Sequence, residues 1–110
     1  MEDCLESILN EVRATSGHDV QVVVANNNSG AVTRDALAAF AADNHEVRLL
    51  SFDSNLGYDR NVLRLAKNIE TDYVWFVGDD DIVLPGALPR LLAAIESNPG
   101  VGMVLCPPSF

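Results

Sequence analysis

Apolar and polar positions fall in blocks along this chain, and each block has its own period. Residues 1–15 place Leu5, Ile8, Leu9 and Val12 three and four apart, the spacing of one apolar face on a helix. Glu2, Asp3 and Glu6 lie in its first turns, where the positive end of a helix favours them, and Ser16-Gly17 predicts its stop. Residues 20–25, VQVVVA, read as a strand, and residues 26–30, NNNSG, as a tight polar loop. An Ala-rich helix over 32–42 and a second strand over 47–52 follow, then the polar turn DSNLG at 53–57. Residues 58–69 carry Val62, Leu65, Ala66 and Ile69 as a stripe, which predicts a third helix. Its basic residues lie opposite the stripe. Arg64 and Lys67 read as a solvated face, whereas Arg60 sits in the first turn beside the loop.

The centre of the pattern is YVWFVGDDD at 73–81. Five strand-favouring residues run without alternation, which predicts a strand buried on both faces, and Gly78 lets the backbone turn. Leu84-Pro85-Gly86 then opens a helix with Pro85 in the favoured first position, and Leu88, Leu91, Leu92 and Ile95 form its buried face. Asn98-Pro99-Gly100 stops it, and residues 101–106 read as a last short strand. Strands alternating with helices predict an α/β, Rossmann-like fold with a mainly parallel sheet and helices on both faces. Ligands of such sheets bind outside the carboxyl ends of the strands. The loops at 26–30, 53–57 and 78–81 all fall at those ends with Arg60, so one crevice is expected to hold amides, a guanidinium and carboxylates.

Composition narrows the function. A chain of 110 residues with 48% hydrophobic side chains is one small domain with a core. A net charge of -9 argues against a nucleic-acid partner, which needs clustered Lys and Arg. No apolar run is long enough to span a bilayer, and the acidic start does not resemble a signal peptide. Cys4 and Cys106 have no metal-type spacing and read as buried free thiols in a reducing, cytoplasmic compartment. His18 and His45 read as surface or helix-flanking residues.

The three consecutive carboxylates carry the chemistry. At roughly 4 Å a like-charge pair costs about 4 kcal/mol at an effective dielectric near 20, so a fold gains nothing from this cluster alone. Mg2+ or Mn2+ reverses that balance, since hard cations prefer oxygen ligands. On an extended backbone Asp79 and Asp81 would share one side and Asp80 the other.

These stretches together resemble family-2 glycosyltransferases of the GT-A fold. CLESILNEV looks like that family's first helix, and VVVANNNS resembles its strand ending in an Asp-Asn-x-Ser turn. NLGYDRN resembles its Asn-x-Gly loop with an Arg-Asn pair. YVWFVGDDDIVLPGAL resembles its Asp-x-Asp strand end and the helix start after it. The resemblance implies transfer of a sugar from a nucleotide-diphosphate donor to an acceptor hydroxyl, glycan or lipid-linked, with inversion. WFVGDDD looks like members that build cell-surface polysaccharide, at the inner face of the membrane in a longer protein. By the same resemblance the donor would meet Asn26, Asn27, Ser29, Asn55, Gly57, Arg60, Asp79 and Asp80. Asp79 and Asp81 would hold Mg2+ or Mn2+.

The family usually has Asp where this chain has Asn26, an amide that donates as well as accepts. Its first strand would precede Met1, and its acceptor half with the carboxylate base would follow Phe110. The chain is therefore expected to be part of a longer enzyme, a partial GT-A half that does not transfer sugar alone. Without that central strand, its neighbours would pair between copies, which predicts a homo-oligomer.

Two other readings compete. Asp79-x-Asp81-x-Val83 has the outline of an aspartate-dependent phosphohydrolase, but no Lys and only one acid, Glu96, follow Val83. The other is a non-catalytic α/β binding module. A calcium EF-hand is disfavoured by the apolar residues after Asp81.

Overall fold

Chain pairing sorts the apolar runs into those that become strands and those that do not. The computed structural model describes residues 1–107, which divide into two compact units: residues 19–77, and residues 1–18 together with 78 onward. The unit formed by residues 19–77 holds β1 (Val22–Asn26), α2 (Ala31–Asp43), β2 (Val47–Ser51) and α3 (Tyr58–Ala66). The other holds α1 (Glu2–Ala14) and α4 (Ala87–Ser97).

β1 and β2 pair in parallel, from Val22 opposite Val47 to Asn26 opposite Ser51. The Phe52 N–H adds a 3.0 Å bond to the Asn26 carbonyl. The parallel direction requires a crossover, and α2 supplies it, packing against β2. Alanine, the best helix former, carries α2 where burial does not: Leu37 is its one buried residue. α3 stops at Ala66, three residues before its expected end, because the Asn68 and Ile69 N–H groups reach back only three residues, to the Leu65 and Ala66 carbonyls. That tighter spacing is the usual last turn of a fraying helix.

The expected strands at 73–77 and 101–106 do not form. Both runs are largely exposed and take part in no sheet ladder. The physical reason is that a strand exists only by bonding to a neighbour. β1 and β2 bond each other along one edge each, residues 73–77 dock on neither remaining edge, and the unit containing 101–106 has no strand among its described residues. The fold is therefore α/β with a two-stranded parallel sheet in place of the four strands expected.

In the unit formed by residues 1–18 and 78 onward, α1 packs against α4, and Cys4, Leu5, Leu9, Val83 and Leu88 are its buried apolar residues. Leu9 is 2% exposed. Pro85 does not open α4 as expected. The Ala87 N–H bonds the Leu84 carbonyl at 3.1 Å, and Gly86 has φ 84°, ψ 0°. With Pro second and Gly third, Leu84-Pro85-Gly86-Ala87 is a type II turn, whose third position needs a positive φ.

That turn sets up an unusual helix start. Glu11, 7% exposed on α1, accepts the Gly86 N–H on Oε1 and the Leu88 N–H on Oε2, both at 2.9 Å. Pro89 has no N–H to satisfy, and Arg90 already bonds the Gly86 carbonyl. The amides that a helix start normally leaves without partners are thus all accounted for, with a carboxylate at the positive end of the helix.

Candidate functional site

The predicted site residues fall into two groups, one in each unit. The first is built on the carboxyl ends of β1 and β2. Asn26 closes β1 and is 3% exposed; its Oδ1 accepts the Ser29 N–H at 2.9 Å. This side-chain turn commits the Asn26 side-chain amide oxygen to its own loop. Asn28 takes φ 58°, a left-handed conformation that Asn tolerates. Asn27 Nδ2 donates to Asn55 Oδ1 at 3.0 Å, and that oxygen also accepts the Gly57 N–H at 2.9 Å. The two amide-rich loops are therefore joined directly.

Arg64 locks them together. Its Nη2 donates to Asn27 Oδ1 at 2.8 Å and to the Ser54 carbonyl at 2.9 Å. Its guanidinium carbon lies 3.9 Å from the centroid of the Phe52 ring, a cation–π stack. The expectation of a solvated Arg64 is thus corrected: planar donors and a weakly hydrated cation suit a half-buried site where loop carbonyls need bonds. Its Nε is buried without a hydrogen-bond partner, as is Asn61 Oδ1 one turn earlier. Arg60 is exposed on the first turn of α3, and Ser29, Asn55 and Gly57 are exposed as well. Gly57, at φ 82° and ψ 172°, occupies a region open essentially to glycine, which explains its place in the loop.

The second group is the acidic turn. The backbone does not continue extended after residue 77. The Asp81 N–H bonds the Gly78 carbonyl at 3.2 Å, and Asp81 Oδ2 accepts the Gly78 N–H at 3.2 Å. A turn cancels strand alternation. Asp80 Oδ1 and Asp81 Oδ2 each lie 3.0 Å from where a Cβ on Gly78 would stand. Two carboxylates thus converge over the one residue without a side chain. All three aspartates are exposed.

Beneath them, buried Cys4 donates its thiol to the Gly78 carbonyl at 3.3 Å. Burial pushes that thiol up from its usual pKa; the N-terminal ammonium opposes the shift, and the negative charges of Asp79, Asp81 and Asp80 reinforce it. At neutral pH Cys4 therefore stays a protonated thiol that donates to the turn's backbone. Cys106, expected to be buried, is exposed; the strand 101–106 that would have carried it into a sheet does not form.

Among the described residues no three His, Cys, Asp or Glu side chains form a metal cage. The paired carboxylates nevertheless suit Mg2+, which takes one or two protein carboxylates and fills its shell with water and substrate phosphates. Glu11, Ser7 and Arg64 were not among the residues expected to matter. Their one signal in the sequence is spacing: Cys4, Ser7 and Glu11 are three and four apart, and Asn61 and Arg64 are three apart.

His18 and His45 are surface residues as expected. His18 Nε2 lies 2.6 Å from Glu96 Oε1, and Nδ1 lies 3.3 Å from the Ser16 carbonyl. Both ring nitrogens face acceptors, so only the imidazolium donates at both. The Glu96 hydrogen bond, then the Ser16 bond, raise its pKa above 6.5.

The family model for glycosyl transferase family 2 matches residues 1–109. An uncharacterized protein, MT1568, of Mycobacterium tuberculosis (strain CDC 1551 / Oshkosh) is 35% identical over 109 residues, covering 97% of this chain. The chain spans 31% of that relative's length. No solved structure matches. No described helix is long and apolar enough to cross a membrane.

Proposed function

Because the chain belongs to glycosyl transferase family 2, we propose that it is the donor-binding part of a metal-dependent, inverting enzyme. The enzyme would move a sugar from a nucleotide diphosphate to an acceptor hydroxyl during cell-surface polysaccharide synthesis, at the inner face of the membrane. The amide loops carry Asn27, Ser29, Asn55 and Gly57 as the nucleotide-facing residues, with buried Asn26 shaping the turn beneath them. Arg60 supplies a cation for the donor, and Arg64 holds the loops in place for it. Asp80 and Asp81, which the turn directs toward the same glycine, would hold Mg2+ or Mn2+, with Asp79 beside them in sequence. Bound there, the ion supplies Lewis-acid neutralisation of the departing diphosphate.

The observation that carries this reading is the convergence of Asp80 and Asp81 over Gly78. Repelling carboxylates directed toward the same glycine favour a nearby cation. A glycine beneath them leaves room, and any side chain at Gly78 would enter that space. The unpaired edges of the two-stranded sheet are where copies would pair into a homo-oligomer.

Thermal-shift titrations with UDP, GDP and dTDP, each with and without Mn2+, test the proposal. One nucleotide should raise the melting temperature only when Mn2+ is present, and Asp81→Ala should abolish that shift. No response to any nucleotide would overturn the donor assignment. A metal-dependent response unchanged by Asp81→Ala would overturn the ligand assignment.

A further inference from the structure

Three α1 side chains hold the acidic turn and the segment after it, in order along both. Cys4 bonds the Gly78 carbonyl; Ser7 Oγ accepts the Val83 N–H at 3.0 Å; Glu11 takes the Gly86 and Leu88 N–H groups. Ser7 Oγ also donates to the Cys4 carbonyl at 2.7 Å, so its hydroxyl is used in both directions. Residues 4, 7 and 11 occupy one helix face and, at a rise of about 1.5 Å per residue, span roughly 10 Å. The segment from Gly78 to Leu88 thus runs along α1, tied at its beginning, middle and end. Its three carboxylates lie between the first two ties. All of these contacts lie within one compact unit.

We propose that the Cys4–Ser7–Glu11 face of α1 is a positioning element for the acidic turn. Its role is to set the cation affinity of Asp79, Asp80 and Asp81 through residues that touch neither metal nor donor. The proposal rests on the metal-binding reading above. Carboxylates that repel each other spread apart unless the backbone carrying them is held. The turn's own two bonds, between Gly78 and Asp81, are exposed to water, where a hydrogen bond contributes little net stability. The ties from α1 are half-buried or buried, and Glu11 brings a charge-assisted pair.

Amide hydrogen exchange and Mn2+ titration by paramagnetic broadening, both on the 110-residue chain, test this. In Ser7→Ala, the Val83 amide should exchange faster and Mn2+ affinity at residues 79–81 should fall about five-fold, the effect of one lost hydrogen bond. Ser7→Thr keeps the hydroxyl and should restore both. Glu11→Gln should speed exchange at Gly86 and Leu88. Should Glu11→Gln fail to fold, Ser7→Ala and Ser7→Thr decide alone.

Unchanged Mn2+ affinity in Ser7→Ala, with a faster Val83 amide, would overturn the proposal, because the tie would then be structural only. Unchanged exchange at Val83 would overturn it as well. Absence of Mn2+ broadening in the unmodified chain would instead count against the metal reading. The tie itself would then stand or fall on the exchange of Val83, Gly86 and Leu88.

Discussion

The asparagine loops and the acidic turn are both polar surface turns, yet they are held by opposite means. The loops at 26–30 and 53–57 hold each other: Asn27 bonds Asn55, and Arg64 fastens both from the helix that follows. The acidic turn has no such partner turn. Its supports are side chains of α1, more than seventy residues earlier in the chain. Amides can satisfy one another because each both donates and accepts, whereas carboxylates only accept and repel their own kind. A turn made of acids must therefore be held by its backbone, from outside.

The sharpest way to break this contrast is Arg64→Ala. It removes two charge-assisted bonds and a ring stack, and should lower the unfolding free energy by about 2–3 kcal/mol, read from urea midpoints. Backbone shifts at residues 78–83 should not move, because their supports come from α1. Movement there as large as in the loops would erase the distinction.

A smaller effect probes, through pH, the unit that carries the acidic turn. His18 has a pKa raised by Glu96, so their bond contributes fully below the ordinary histidine value of 6.5 and is lost as pH rises through the folded value. The midpoint difference between the unmodified chain and His18→Ala should be larger at pH 5.5 than at pH 8.5. The pair is exposed, so the change should be slight. An equal difference at both pH values would remove the pair from the balance.

What could be read from the sequence was what local pattern decides. The four helices and the strands Val22–Asn26 and Val47–Ser51 follow from spacing and from the breakers around them. YVWFV at 73–77 is as apolar as VVVAN, yet only VVVAN found a neighbour. Pairing is a property of two segments, so no single run announces it. Arg64 looked solvated because its partners Asn27 and Phe52 are distant in sequence. Glu11 looked like one more acid on an amphipathic helix, since its partners are Gly86 and Leu88. The aspartates were visible at once, but strand alternation put Asp79 with Asp81, whereas a turn at Gly78 brings Asp80 to Asp81.

The exposed run at 73–77 also changes how the flanking acids should be regarded. Five neutral, β-prone residues in water are a seed for self-association. Asp72 stands on one side of them and Asp79, Asp80 and Asp81 on the other, like sentries at both ends. The same carboxylates assigned to a cation then oppose disordered association through that run by repulsion, and light scattering should rise as pH falls toward the isoelectric point near 4.3. Colloidal behaviour and ligand chemistry would thus share one set of charges.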